Sequence, residues 1–323
     1  MTAGTYVVDG VTITATSDRL TFTMSGDFTL DSVPGSDAAV YTVTIGEGIT
    51  LTDAEGNPIS GTVEAGTVIT VESETGTYFT KTASDDSKAI SSTPTSDSTT
   101  FTVSESTIVY AASKVTLNNA SATYERASTS NGNQNVSSGY YVAVGTELTL
   151  TATTGSAVIE GTTTGEAIST YTVGTEDVTL SGAWEVELTD VTATIDNTAI
   201  GSYVANGTAI TVAADEDAGT SVIQIVNGLK YATSAVTSIT VNSDLELGAA
   251  VKVTVNGGAT LSYDGSRGSV SITGTTVYVL SGTVLYTSGT TIQDSDGNIE
   301  TTPADGEVSF TVGNQDITIS SGT

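Results

Sequence analysis

The chain has 323 residues, 37 acidic and 8 basic, for a formal charge of −29, and it contains neither cysteine nor histidine. Those absences exclude disulfides, Cys and His nucleophiles, thiolate and imidazole metal ligands, and the commonest general base. The charge argues against nucleic acid and anionic membrane surfaces, which recruit arrays of Lys and Arg, and no window of the sequence approaches the 18 consecutive apolar residues of a membrane-spanning helix.

Thr makes up about a fifth of the chain, Val and Ile are abundant, and the helix-favouring Leu, Met, Lys, Arg and Gln are scarce. An all-β fold is expected. Runs such as Val11-Thr12-Ile13-Thr14 and Val251-Lys252-Val253-Thr254-Val255 read as half-buried strands, because outward Thr keeps β-propensity high without exposing apolar area.

Taken in order, the chain repeats itself. A Tyr/Phe-Thr-Val or Ile-Thr-Val run leading through a polar corner to a second alternating run occurs at Tyr41, Phe101, Tyr171, Ile239 and Phe310, with the Thr-Val pairs 60, 70, 68 and 71 residues apart. A period near 70 predicts tandem small antiparallel β-sandwich modules at 1–54 (partial), 55–113, 114–183, 184–250 and 251–323. Tyr6-Val7-Val8-Asp9-Gly10 matches Tyr141-Val142-Ala143-Val144-Gly145 and Tyr203-Val204-Ala205-Asn206-Gly207, yet only five residues precede it. The first module is therefore expected to lack its opening strands and to expose an edge. That edge would take a strand from another copy or from an upstream segment, giving head-to-tail self-association.

Met1-Thr2-Ala3-Gly4-Thr5 lacks the basic and apolar regions of a signal peptide. Met1 reads either as the start of a piece of a larger secreted protein or as the native start of a protein released within a particle. Glu55-Gly56-Asn57-Pro58 reads as a turn, and the polar inserts Ser84 to Thr100 and Ser128 to Ser138 read as exposed loops. Between modules, small residues such as Gly248-Ala249-Ala250 are expected to join a closing strand to an opening one with little hinge freedom. A stiff or gently bent rod on the order of 150 Å follows from ~3.3 Å per strand residue.

Candidate chemistry is sparse. Asp294, Asp296, Asn298 and Glu300 place oxygen ligands at alternating positions, the pattern a calcium ion wants, but Ile299 stands where a helix–loop–helix calcium loop needs Gly. The competing reading is a hairpin turn. Asp85-Asp86 and Asp215-Glu216-Asp217 read as solvated corners. Trp184, the single Trp, is either an intermodule wedge or a stacking platform for sugar. No carboxylate pair stands apart as a glycosidase pair.

The repeated YVxxGTxxTV and YTVxxxxVTL pairs resemble the tandem immunoglobulin-like β-sandwich modules of bacterial surface proteins and phage virion proteins. The resemblance implies a non-enzymatic structural role as a stalk, fibre, filament or decoration, extracellular, on a cell surface or in a virion, with a carbohydrate-binding adhesin as the alternative. The implied partners are further copies, a larger surface assembly, or glycans.

Overall fold

The alternation of Thr with Val and Ile folds as it reads: the protein, described by a computed structural model, is all-β, with no helix among the described residues. These are 4–8, 11–15, 39–84, 90–96, 100–125, 132–256, 261–263, 270–272, 276–288, 290–294, 299–301 and 307–321.

The region between Val115 and Ser181 shows the recurring plan. One sheet holds, in order, Asn133–Val136, Ala120–Glu125, Glu147–Ala152 and Thr170–Thr172, all antiparallel. The facing sheet holds Tyr140–Ala143, the second half of Thr107–Asn118, the first half of Val178–Thr189, and Ala157–Glu160. Val115, Ala122, Leu148, Leu150, Val158 and Leu180 come from both sheets and meet in one buried cluster, so apolar burial holds the two layers face to face. Successive strands Ala120–Glu125 and Asn133–Val136 pair as a hairpin. An immunoglobulin domain instead places its second and third strands in opposite sheets, so the strand order here differs from that one. Equivalent strands form equivalent sheets around 186–248 and 253–321, and a shorter version around 40–109.

The corner after Tyr171-Thr172-Val173 crosses between the layers. Thr170–Thr172 ends one sheet and Val178 begins its strand in the other. At Asn119 and Asp190 a single residue turns the chain from one layer to the other with φ of 51° and 56°, a conformation that Asn and Asp tolerate better than other side chains.

Where the sequence predicts two strands meeting across small residues, there is one strand and no joint. Thr107–Asn118, Val178–Thr189 and Leu245–Asn256 each run unbroken for 12 residues. Leu245 and Leu247 enter one core, while Val251, Val253 and Val255 enter the next. All five lie on one face of the strand, since alternate residues share a face. The small residues there serve packing: a Cβ on Gly248 would collide with the Leu280 side chain, and one on Gly182 with the Asn119 and Thr154 carbonyls.

The predicted boundaries at 113/114, 183/184 and 250/251 thus cut the three long strands near their middles. The one at 54/55 falls elsewhere in the plan. Val40–Ile45 pairs with Gly61–Glu64 and with Thr107–Val109, and Ile49–Thr52 pairs with Val68–Ser73, so residues 40–52 open the second strand set instead of closing the first. Tyr41-Thr42-Val43 copies the repeated closing motif in sequence while occupying an opening strand, and its odd 60-residue spacing is the trace of that difference. Gly4–Val8 and Val11–Ala15 pair with each other.

The predicted loop inserts also contain strands: Ile90–Ser91 and Thr95–Ser96 in the first, Asn133–Val136 in the second. The Asp53 carboxylate accepts from the backbone N–H groups of Glu55 and Asn57 and from Asn57 Nδ2, which fixes the predicted turn.

Candidate functional site

The features that recur lie where one strand set hands over to the next. Each long strand closes one set with its first half and opens the next with its second. Within a set, opening and closing strands are parallel neighbours: Val43 to Ile45 with Thr107 to Val109, Val115 to Asn118 with Val178 to Ser181, Val186 to Thr189 with Leu245 to Gly248, and Val253 to Asn256 with Ile317 to Ser320.

The start of every such pair carries a side-chain clasp. Ser106, Asp177, Asp244 and Asp316 stand immediately before the closing strand. Their side-chain oxygens accept from the backbone N–H of Thr42, Lys114, Glu185 and Lys252 at 3.1, 2.8, 2.9 and 3.0 Å. Each acceptor satisfies the amide just ahead of the ladder, and carboxylates make the stronger, charge-assisted form of the bond. Asp244 accepts a second bond across the handover, from Ser156 Oγ at 2.7 Å, and Thr220 Oγ1 reaches Asp316 in the same way.

A second lock joins the two repeated sequence motifs. Gly66, Gly145, Gly207 and Gly282 take φ between 76° and 86°, and their N–H groups donate to the carbonyls of Val103, Val173, Val241 and Val312 at 2.8–2.9 Å. The same valines donate back to Thr67, Thr146, Thr208 and Thr283. A residue with a Cβ is strained at that φ, which is why the motif needs Gly.

A third device reaches from one set to the next. Ile90–Ser91, Thr164–Gly165 and Tyr231–Ala232 each add a two-residue strap to the following set, pairing with Tyr141-Val142, Tyr203-Val204 and Tyr278-Val279. Ile90 enters the core of the set it straps and Tyr231 packs against another, edge-on to Tyr263 at 5.6 Å. Thr164 holds by hydrogen bonds instead, donating to the Tyr203 carbonyl and accepting from Gly201 N–H. Small separate cores also sit at two handovers, Phe79 with Ala112 and Ala143, and Ile159 with Ala183 and Ala205.

Trp184 belongs to this handover. It is half-buried against the cluster of Val186, Val204 and Ile210, and its Nε1 donates to Asn206 Oδ1 at 2.8 Å. Beside it a polar open cleft of about 450 Å³ is lined by Asn118, Asn119, Thr162, Ser181, Gly182 and Asn206, among others. A smaller recess of about 280 Å³ gathers Glu185, Glu187, Asp244 and Glu246, yet among the described residues no three carboxylates converge to hold a metal ion.

Of the calcium candidates, Asp296 and Asn298 lie outside the described residues, and Asp294 and Glu300 are described by backbone alone. Thr290–Asp294 and Ile299–Thr301 form an antiparallel pair, with Asp294 at the end of one strand and Glu300 within the other. Asp215 forms a turn, accepting from Thr192 Oγ1 and from the Ala218 N–H; Asp85 and Asp86 lie outside the described residues. Sequence reasoning missed the clasps and the straps. The clasps had a signal, an Asp or Ser directly before each closing strand, whereas Ile90 is one apolar residue inside a polar insert. No protein-family model matches the chain, and no curated protein matches it in sequence.

Proposed function

We propose that the chain is a non-enzymatic structural protein, a stiff tandem array of immunoglobulin-like β-sandwich modules that acts as a stalk, fibre or filament component of an extracellular surface or virion. The observation that carries this reading is the unbroken 12-residue strand at each of three handovers, reinforced by straps and clasps. A chain selected for separate modules would place flexible spacers there; this one makes the handover part of both sheets. The charge of −29 supplies self-repulsion that favours extension and solubility, and the lack of Cys and His removes most catalytic options.

Small-angle scattering, with electron microscopy of single particles, tests the reading. A rod with a maximum dimension on the order of 150 Å, from ~3.3 Å per strand residue, supports it; a compact particle overturns it. The polar cleft at Asn118, Asn119 and Asn206 favours a second reading, a glycan-binding adhesin, because carboxamides and hydroxyls are the groups that match sugar hydroxyls. Saturable binding on a glycan array that Asn119→Ala abolishes would select it.

A further inference from the structure

We infer that the array is built to carry tension along its length, with the parallel pair of opening and closing strands as the element that yields. The inference rests on the proposed extended array. Tension enters a set through the N-terminal side of its opening strand and leaves through the C-terminal side of its closing strand. Because the two run parallel and side by side, such a pull slides them past one another. Ladder hydrogen bonds lie across the strands, so sliding loads them together, whereas pulling the strands apart sideways would break them one after another.

The side-chain devices fit that geometry. All four clasps bind at the start of the sheared pair, and two of them reach across the handover to Ser156 and Thr220. The long strand transmits the force to the next set without any softer segment in series.

The clasped residues lie 64, 63, 59 and 64 positions apart in the chain. When one pair fails, the chain between its strands is released, about 200 Å at roughly 3.3–3.6 Å per extended residue. Single-molecule stretching of the full chain between its ends should give discrete force peaks spaced by about that length.

Since the native chain has no cysteine, a pair of introduced ones reports cleanly. Glu187 and Glu246 are exposed and directly paired, so the double variant Glu187→Cys with Glu246→Cys, when oxidised, ties the two strands together. The expected result is the loss of one peak, restored by reductant. Thr116→Cys with Thr179→Cys makes the same test in the preceding set. Peaks that persist unchanged in number under both oxidised cross-links would overturn the inference, as would featureless extension of the native chain. Featureless extension of a particle shown by scattering to be a long rod would do so while leaving the proposed function standing.

Discussion

The straps at Ile90 and at Thr164 make the same backbone connection with opposite chemistry. Ile90–Ser91 pairs with Tyr141-Val142 and sinks Ile90, 6% exposed, into the neighbouring core. Thr164–Gly165 pairs with Tyr203-Val204 and relies on the Thr164 hydroxyl, which donates to one backbone carbonyl and accepts from one backbone N–H. The pairing sets the geometry, and the side chain sets how strongly, and under what conditions, it holds.

The largest effect should come from Ile90→Ala. Deleting a buried Ile side chain costs about 2–5 kcal/mol, and the loss should appear in the set that Ile90 straps, not in the one whose sequence contains it. Hydrogen exchange would show reduced protection at Val115, Leu148 and Leu180; loss confined to 40–109 would break the comparison. Thr164→Val removes two hydrogen bonds at a half-buried position and should cost about 1–2 kcal/mol, read as a downward shift in thermal midpoint with protection lost around Tyr203. A cost as large as that of Ile90→Ala would show that the polar strap is the equal of the apolar one.

A smaller effect separates the parallel pairs themselves. Thr116 faces Thr179 in one, while Glu187 faces Glu246 at the same place in the next. Adjacent like charges are unfavourable by a few tenths to about 1 kcal/mol, so Glu187→Thr should stabilise its set by that amount at low salt. The gain should shrink as screening rises. A gain independent of salt would assign it to β-propensity instead.

The smallest effect is a control within a single turn. The side chain and N–H of Asn57 and the N–H of Glu55 hold the Asp53 carboxyl below its ordinary range. A depressed folded pKa contributes stability above the unfolded value and loses it as the pH falls through the folded one. Acid titration followed by NMR should therefore show the turn loosening below the usual carboxylate range, while Asp53→Asn removes that step and leaves the straps unaffected.

These contrasts also mark what the sequence could reveal. Alternating Thr and Val is a local signal, so the all-β character and the period were legible. Tyr41-Thr42-Val43 misled because an opening strand and the strand that precedes a closing one share the same alternation, and only pairing with Thr107 to Val109 tells them apart. The continuity of Leu245–Asn256 was hidden by Gly248-Ala249-Ala250, which read as a joint because small residues mark both turns and tight packing. Of the handover, Trp184 was visible as an isolated aromatic, whereas the clasp of Asp244 on Glu185 depends on contacts some 60 residues apart.

The common parity of the long strands bears on how such a chain can grow. Leu245, Leu247, Val251, Val253 and Val255 keep one face across the handover, so a single-residue insertion between Leu247 and Val251 would turn every later apolar residue of that strand toward solvent. A duplication with both breakpoints at equivalent places, one full period apart, restores the parity wherever in the repeat it is cut. Genes of this architecture are therefore expected to lengthen and shorten by whole repeats, with insertions accumulating in the loops outside the shared strands and almost none within those strands.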